Sequence, residues 1–390
     1  MILDVFCELQ RAGERSHGFE RQLYLDTIEQ AKLADVAGFG CWWAVEHHGY
    51  PGFSYSSAPE MMLTAIAQHT ERIRLGHSGV LGPHAINHPI RIAERAAFLD
   101  NLSNGRLELG IARSVPNEWE TFGSDPEQTR AEVAETLRML PRMWADGSFE
   151  YQSESLTIPP REIVPKPLQQ PHPPLWVTAA SPEGFEGAGR LGVGALATVM
   201  LQPVDQLGVL FDHYRRGRAE SDLAGALVND QRAVFAFFHC AETRQQAIES
   251  RAAEATLWFM NAQPEVFGVP RHLWVETIRE RTELWGNMEE RVEPGEAHSA
   301  GDLDDPHPIV RLMNRQWAGQ PLDPVEAYEA LELVDSVIIG DAELCLRKLA
   351  RYAEAGVDRL MCVLQMGAID QAMIARTIRD AGELVIPNLR

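Results

Sequence analysis

The amino-acid sequence predicts an α/β protein, a (β/α)8 TIM barrel with a large insertion after its seventh strand. Short apolar runs alternate along the chain with segments whose apolar residues recur at helical spacing. This alternation implies parallel strands joined by right-handed crossovers. Polar residues follow several of the runs, and α/β barrels carry their chemistry at the carboxyl ends of their strands. A doubly wound open sheet is the alternative architecture.

The second predicted strand shows the pattern most clearly. The apolar run 39–45 leads without interruption into Glu46, His47 and His48, and glycine and proline then break the chain. A buried parallel strand is apolar along its length and polar where it leaves the core. The sequence predicts strands at residues 2–9, 39–45, 73–81, 107–112, 175–179, 195–201, 233–241 and 359–365.

Helices are predicted between these strands. The first stops at Gly38, a residue typical of helix ends, and the third carries Pro89 in its first turn. The predicted helices cover residues 23–37, 58–69, 89–102, 127–144, 182–191, 204–220, 341–355 and 370–384.

Two stretches interrupt the alternation. Residues 150–174 are rich in proline and are expected to form a surface excursion. Helical material begins at Thr243, but an apolar run resumes only at 335–340. We predict a single domain over residues 1–390 in which about 258–330 form an insertion, either a mobile lid or a disordered excursion.

Composition narrows the class of protein. The formal charge is −21, without the basic cluster that nucleic-acid binding requires. No apolar run is long enough to span a bilayer, and the N-terminus does not resemble a signal peptide, so we expect a cytoplasmic protein without a membrane partner. The five cysteines form no C-x-x-C pair, which favours inert buried thiols over a disulfide or a zinc site.

Two nucleotide-binding motifs are absent from the sequence. No G-x-G-x-x-G follows the first predicted strand, and no P-loop occurs. The sequence therefore offers no site of the usual kind for NAD or ATP.

Candidate site residues stand where predicted strands end. Strand two leads into the two histidines, strand three ends in Ser78-Gly79, strand four in Arg113, strand five in Ser181 and strand eight in Gln365. In a barrel, all of these residues share one rim.

Arg113 and Ser181 are of the type that binds an anion. Ser181 precedes Pro182 at a helix start, where a hydroxyl and backbone amides face an anion with the helix dipole behind them. A guanidinium adds charge-assisted hydrogen bonds, so a phosphorylated cofactor fits. The alternative is that Ser181 only caps its helix and Arg113 pairs with an acid such as Glu118.

The two histidines of strand two face different ways if they stay extended. A rim histidine can serve as general base or hydrogen-bond donor, and a structural role is equally consistent with the pattern. Adjacent histidines are poor metal chelates, and we predict no metal site. Glu46 either orients one histidine or pairs with Arg113 or Arg91. Trp176 is typical of a core aromatic and is also a candidate, with Gln365, for the wall of a substrate pocket.

The residues themselves resemble those of the bacterial luciferase-like family of flavin-dependent monooxygenases. The resemblance runs nearly end to end, and its motifs occur in the family's order. They are 43–48 (WAVEHH), 88–91 (HPIR), 99–106 (LDNLSNGR), 110–113 (GIAR), 122–125 (FGSD) with Arg130, 173–177 (PPLWV), 180–183 (ASPE), 339–341 (IGD) and 356–358 (GVD).

The resemblance implies a barrel that binds reduced FMN at its rim and uses O2 to oxygenate a small organic substrate through a flavin-peroxide intermediate. Arg113 and Ser181, with the neighbouring Ala180, would hold the phosphate. Ser78-Gly79 matches the family's non-proline cis peptide beneath the flavin ring. His47 would serve acid/base chemistry and His48 would line the pocket, while the insertion matches a loop that shields the flavin from water.

Other implications concern the pocket, the partners and the alternatives. Gln365 stands where luciferase has an acidic pocket residue. Luciferase also differs at Ala112, where it has a cysteine, and at Ala180, where it has an acid, so its substrate and light emission are not expected. A separate NAD(P)H:flavin reductase would supply the reduced flavin. A homodimer through the helices after strands two and three is the family's arrangement. An F420-dependent hydride-transfer enzyme and a non-catalytic flavin-binding subunit remain alternatives.

Overall fold

A computed structural model describes residues 1–13, 15–197, 200–281 and 301–389. Its main sheet is a parallel barrel with helices between the strands, which confirms the predicted (β/α)8 fold. The strands in chain order are β1 (Ile2–Cys7), β2 (Cys41–Ala44), β3 (Arg74–Leu81), β4 (Leu107–Ala112), β5 (Phe149–Gln152), β6 (Thr157–Arg161), β7 (Leu175–Ala179), β8 (Gly194–Ala197), β9 (Arg232–Ala241), β10 (Val337–Asp341) and β11 (Arg359–Val363).

Eight of these strands close the barrel. The hydrogen-bonded order runs β9-β11-β1-β2-β3-β4-β7-β8, and β8 pairs with β9 again through Ala195 opposite Arg232. Every pairing in this ring is parallel, so the carboxyl ends of the strands meet at one rim. The register shifts once between β3 and β4, between His77 and Val80.

The helices cover the outside of the barrel and build the insertion. They are α1 (Phe19–Ala37), α2 (Pro59–Ala67), α3 (Pro89–Leu102), α4 (Pro116–Phe122), α5 (Thr129–Trp144), α6 (Pro182–Leu191), α7 (Val204–Ala219), α8 (Arg244–Glu249), α9 (Ala252–Phe267), α10 (Arg271–Arg281), α11 (Pro308–Trp317), α12 (Pro324–Glu332), α13 (Ala342–Glu354) and α14 (Gln371–Asp380). A short π-helix (Ala381–Val385) and a 3-10 turn (Ile386–Asn388) follow.

The structure adds three elements that the sequence did not predict. The proline-rich excursion contains the antiparallel hairpin β5–β6. The short helix α4 follows β4 and precedes α5. The apolar run at 335–340 becomes β10, which pairs with the C-terminal half of β9, Val337 opposite Phe237. These elements lie outside the ring of eight strands and leave it intact.

The barrel interior is filled by large side chains. Trp43, Trp176, Phe237 and Met361 are fully buried there, and the two indole rings meet edge to face with centroids 5.3 Å apart. A second apolar layer packs between the strands and the surrounding helices. Such interdigitated packing makes the strand ends a rigid support for side chains at the rim.

The described parts of the insertion are helices that pack on the same interior cluster. Trp274 of α10 and Val310 of α11 are buried in it. The predicted lid also includes residues 282–300, which lie outside the described part of the chain. Among the described helices, none combines the length and the apolar character that crossing a bilayer requires.

Candidate active site

A cavity of about 370 Å³ opens at the carboxyl rim of the barrel. Its volume lies within the range typical of ligand sites, roughly 300–1,000 Å³. The ends of β1, β2, β3, β4 and β7 contribute to its wall, and α9 of the insertion covers part of it. Of the predicted site residues, it brings together His47, Ser78, Gly79, Arg113, Ala180 and Ser181.

Three polar residues form what we call the cationic lining: Arg113, Arg130 and Ser181. Ser181 is the N-cap of α6, and its Oγ accepts a hydrogen bond from the backbone N–H of Gly184 at 3.3 Å. Pro182 occupies the first turn, where its missing N–H costs nothing. The positive end of the α6 dipole therefore reinforces the charges of the two arginines.

The Arg113 side chain is held from two directions. Its Nε donates to Thr129 Oγ1 at 2.6 Å, and its Nη2 donates to the carbonyl of Pro126 at 2.9 Å. The guanidinium also lies over the Trp119 ring, 4.6 Å from the centroid. Glu118, which the sequence offered as a partner for Arg113, is engaged by His47 Nδ1 and by the Ser114 hydroxyl.

The Ser78–Gly79 peptide bond is cis, as the resemblance implies. Both residues line the cavity beside the register shift in β3. A Cβ on Gly79 would lie only 3.0 Å from the carbonyl of Gly110 and from the amide of Ala112, so a larger residue would require the backbone of the neighbouring strand to shift. The Ser78 Oγ is buried and has no hydrogen-bond partner among the described residues.

His47 joins two glutamates in what we call the acidic cluster: Glu8, His47 and Glu118. His47 Nδ1 lies 3.1 Å from Glu118 Oε1, and His47 Nε2 lies 3.7 Å from Glu8 Oε2. Burial lowers the pKa of His47, but the hydrogen bond to Glu118 and the surrounding carboxylates outweigh burial, so the pKa is raised. His47 therefore favours the imidazolium form between two acids.

The two glutamates of this cluster differ in charge state. Burial works against the Glu118 carboxylate, but the His47 ring, the Ser114 hydroxyl and the backbone N–H of His48 all stabilise it, and its pKa is lowered. Glu8 has weaker compensation. Burial raises the pKa of Glu8 to about 7, with His47 opposing the rise and Glu118 adding to it. One acid is thus ionised at neutral pH, while the other exchanges its proton there.

The sequence did not single out Glu8, and it treated Glu118 only as a possible partner of Arg113. The signal for Glu8 was present, since it is the first residue after β1 and stands where an apolar strand leaves the core. Arg130 was part of a motif but was not assigned to the cavity. Residues Phe259 and Val266 of α9 could not be placed, because nothing local shows which barrel residues α9 covers.

His48 lies beside the cavity and does not line it. Its Nε2 is 3.2 Å from Glu46 Oε1, and this hydrogen bond raises the pKa of His48. Glu46 also accepts from the backbone N–H of Leu81 and from Asn87 Nδ2, both at 3.0 Å. Of the predicted roles for Glu46, the structure shows the one that orients a histidine.

Gln365 and Trp176 are also placed away from the cavity wall. Gln365 Oε1 accepts from the backbone N–H of Gln10 at 3.0 Å, which ties the loops after β1 and β11 together. Trp176 is fully buried in the barrel, and its Nε1 donates to Glu108 Oε2 at 2.7 Å. The core role predicted for Trp176 is the one that the structure supports.

Apolar side chains complete the cavity. The Phe235 ring lies between those of Phe6 and Phe259 on the cavity wall. Its centroid is 5.3 Å from that of Phe6 and 5.9 Å from that of Phe259. Among the described residues, no group of three or more His, Cys, Asp or Glu side chains is arranged so that it could hold a metal ion. A planar ring that carries a phosphate matches this lining, with the cationic residues for the phosphate and the Ser78–Gly79 side of the cavity for the ring, which leaves the aromatic wall for a second molecule. The residues therefore fit a flavin mononucleotide.

Comparisons with known proteins agree with this geometry. A family model described as luciferase-like monooxygenase matches residues 1–359. The oxygenase component of flavin-dependent trigonelline monooxygenase from Acinetobacter baylyi is 31% identical over 217 residues, which cover 55% of this chain and 59% of that protein. The chain thus spans less than two thirds of the length of this curated relative.

Two solved structures are similar across almost their whole length. The oxygenating constituent of 3,6-diketocamphane monooxygenase from Pseudomonas putida, in complex with FMN, superposes with a TM-score of 0.69 at 20% identity and covers 100% of this chain and 99% of that chain. The F420-dependent tetrahydromethanopterin reductase from Methanopyrus kandleri gives a TM-score of 0.66 at 18% identity and covers 100% of both chains. At these identities the likeness shows the fold.

Proposed function

The chain is a member of the luciferase-like monooxygenase family, and from this premise we propose that it uses reduced FMN and O2 to oxygenate a small organic substrate. The observation that carries the proposal is one apolar cavity with both the cationic lining and the acidic cluster on its wall. The lining supplies a phosphate site, and the cluster supplies groups that exchange protons near neutral pH.

Each part of the wall has a task in this reaction. Arg113, Arg130 and the amides at the start of α6 bind the phosphate of FMN. Bound reduced flavin supplies the electrons that activate O2. His47, fixed by Glu118, donates or accepts a proton in the cavity. A flavin-peroxide intermediate, which the family resemblance implies, is part of the proposal and would be detected by its absorbance after rapid mixing with O2.

The insertion excludes water from this chemistry. Asn117 Nδ2 donates to the carbonyl of Glu265 at 2.7 Å, and the Tyr50 hydroxyl donates to the carbonyl of Val266 at 3.3 Å. These bonds join α9 to α4 and to the loop after β2. We propose that they must break for the substrate to enter and that their re-formation shields the reduced flavin.

The decisive experiment compares FMN with riboflavin, which lacks the phosphate. Both are reduced anaerobically and titrated into the wild-type protein and into Arg113→Gln. We expect the variant to lose roughly ten- to hundredfold in FMN affinity, the value of a hydrogen bond to a charged group, and to keep its affinity for riboflavin. Arg347→Gln, an exposed arginine on α13, is the matched control. Equal binding of FMN and riboflavin by the wild type would refute the phosphate assignment.

The same titration with reduced F420 decides the alternative hydride-transfer function, which a neighbour in fold supports. Tighter binding of F420 than of FMN, with no O2 uptake, would replace our proposal by that one. A protein that binds FMN but never activates O2 would be a non-catalytic flavin-binding subunit. The intact acidic cluster argues against a non-catalytic subunit, because a binding role needs no proton donor.

We also propose a separate NAD(P)H:flavin reductase as the source of reduced FMN. The sequence lacks the usual dinucleotide motif, and the relative named above is an oxygenase component. The test is coupled turnover. O2 uptake with NADH should require an added flavin reductase, and uptake with the purified chain alone would contradict the proposal.

A homodimer through α2 and α3 is the last part of the proposal. Met61 on α2 is 72% exposed, and Phe98 and Leu102 on α3 are 59% and 44% exposed. Exposed apolar side chains on adjacent helices support an interface there. Sedimentation equilibrium should give a dimer for the wild type and a monomer for Phe98→Glu. A monomeric wild type would contradict this part and leave the flavin proposal unaffected.

A further inference from the structure

Glu8 presents an unused buried oxygen to the cavity. The residue is 5% exposed and lines the wall, and its Oε2 forms no hydrogen bond with any described residue. His47 Nε2 lies 3.7 Å from this oxygen, beyond hydrogen-bond distance. A buried polar atom without a partner costs free energy unless a ligand supplies the partner.

The groups that face Glu8 limit what that ligand is. From the loop after β2 comes His47, and from α4 comes Glu118. Cys7 on its own strand is neutral, and Gln263 from α9 is a neutral amide on the same cavity wall. No described arginine or lysine pairs with Glu8. An ion pair with such a residue would have lowered the affinity of the carboxylate for a proton.

The neighbouring wall is aromatic. Phe6, two residues before Glu8, packs edge to face on Phe235, and Phe259 packs on both Phe235 and Phe53. Aromatic walls favour planar rings, because offset and edge-to-face contacts between aromatic rings are favourable. A ring held there brings its polar substituent to the carboxyl.

We propose that Glu8 is a catalytic base that takes the proton of a phenolic or enolic hydroxyl on a planar substrate held among Phe6, Phe235 and Phe259. The inference rests on the proposed monooxygenase function and adds the substrate class. The proton passes from the substrate oxygen to Glu8 Oε2, so that one O–H bond breaks and one forms. The substrate becomes an oxyanion, Glu8 becomes neutral, and no electrons are transferred. The oxyanion then lies beside the His47 ring, and the protonated form of that ring stabilises it.

The proton affinity of Glu8 suits this step. Burial raises the pKa of Glu8 to about 7, which makes its carboxylate a stronger base than an ordinary glutamate. General bases work best when their pKa lies near the working pH. Charging the substrate oxygen makes the ring richer in electrons and therefore a better acceptor for an electrophilic oxygen atom.

The experiment uses 4-nitrophenol, whose anion absorbs visibly and whose neutral form does not. The full chain without added flavin is titrated with the probe at a pH below the probe's own pKa. We expect the bound probe to be more ionised than the free probe in the wild type, and Glu8→Gln to lower the bound phenolate-to-phenol ratio roughly tenfold, equivalent to one pKa unit. Glu154→Gln, an exposed glutamate between β5 and β6, should match the wild type.

A measurement on the wild type alone covers the case in which Glu8→Gln does not fold. Infrared difference spectra at a pH above 7, with and without the probe, should show the carbonyl band of a protonated carboxyl gaining intensity on binding. An unchanged carboxyl band, an equal ionisation ratio in wild type and Glu8→Gln, or no saturable binding of the probe would each overturn the proposal. The assays contain no flavin, so they fail independently of the FMN titration.

Discussion

The cationic lining and the acidic cluster share one cavity but are assembled in different ways. Within the lining, the amides at the start of α6 are positioned locally by Ser181 and Pro182, and Arg113 and Arg130 join them from the end of β4 and from α5. The acidic cluster joins residues 8, 47 and 118, which three separate segments of the barrel bring together. One part of the phosphate site is thus set by local sequence, whereas every member of the acidic cluster depends on closure of the barrel.

Glu118→Gln should give the largest separation between the acidic cluster and the cationic lining. The change removes the carboxylate that accepts from His47, Ser114 and the backbone of His48. We expect the pKa of His47 to fall by about 1–3 units, the usual influence of a neighbouring opposite charge. Histidine resonances followed by NMR against pH measure the change. FMN affinity should stay as in the wild type, since the cationic lining is untouched.

Glu120→Gln provides the control for that experiment, because Glu120 is exposed on the same helix. It should leave the pKa of His47 unchanged. If Glu118→Gln weakens FMN binding as much as it shifts His47, the two parts of the wall are coupled and the contrast fails.

The next largest effect concerns the pH dependence of stability. Because the folded-state pKa of Glu8 is raised from 4.5 to about 7, the folded protein keeps a proton that the unfolded chain releases in this window. Stability conferred by Glu8 is therefore present below pH 4.5 and lost as pH rises toward 7. The wild type should lose up to about 3 kcal/mol more than Glu8→Gln across the window.

Urea unfolding at several pH values measures this difference. Glu118 has a lowered pKa, so its own contribution is lost only as pH falls below the ordinary carboxyl range and does not overlap the window. Parallel curves for wild type and Glu8→Gln from pH 4.5 to 7 would show that the Glu8 proton is not retained on folding.

The smallest effect expected separates two roles of Ser181. Ser181→Ala removes both the cap and the hydroxyl and should cost about 0.5–2 kcal/mol of stability, whereas Ser181→Gly should cost only a few tenths. If the hydroxyl also contacts phosphate, both variants lose FMN affinity equally. Thermal unfolding and anaerobic titration give the two quantities. If FMN affinity falls more in Ser181→Ala than in Ser181→Gly, in parallel with the loss of stability, Ser181 acts only as a helix cap.

Elements that depend on local sequence were predicted, whereas elements that depend on contacts between distant segments were missed. Strands with continuous apolar runs, such as β9 and β11, and helices with clear ends, such as α1 at Gly38, were predicted within a few residues. The hairpin β5–β6 was missed because only four and five residues form its strands and two of them are prolines. Short antiparallel strands depend on pairing more than on local preference.

The site shows the same limit. Arg113 and Ser181 were predicted because each follows an apolar strand and stands by a helix start. Trp176 also lies on a strand, but whether its side chain points into the barrel or toward a pocket depends on register, which a single run of five residues does not fix. The partner of Glu118 was unpredictable for a related reason, since His47 reaches it across the rim.

The segment that connects β9 to β10 supplies part of the cavity wall. The chain leaves β9 at Ala241 and returns as β10, whose Val337 and Asp341 lie opposite Phe237 and Ala241 of that same strand. The described residues between 242 and 336 therefore belong to an excursion that leaves and re-enters the sheet along the same strand. They provide Phe259, Gln263 and Val266 of the cavity wall but none of the cationic lining. Substitutions in this segment can therefore reshape the cavity wall without touching Arg113, Arg130 or Ser181.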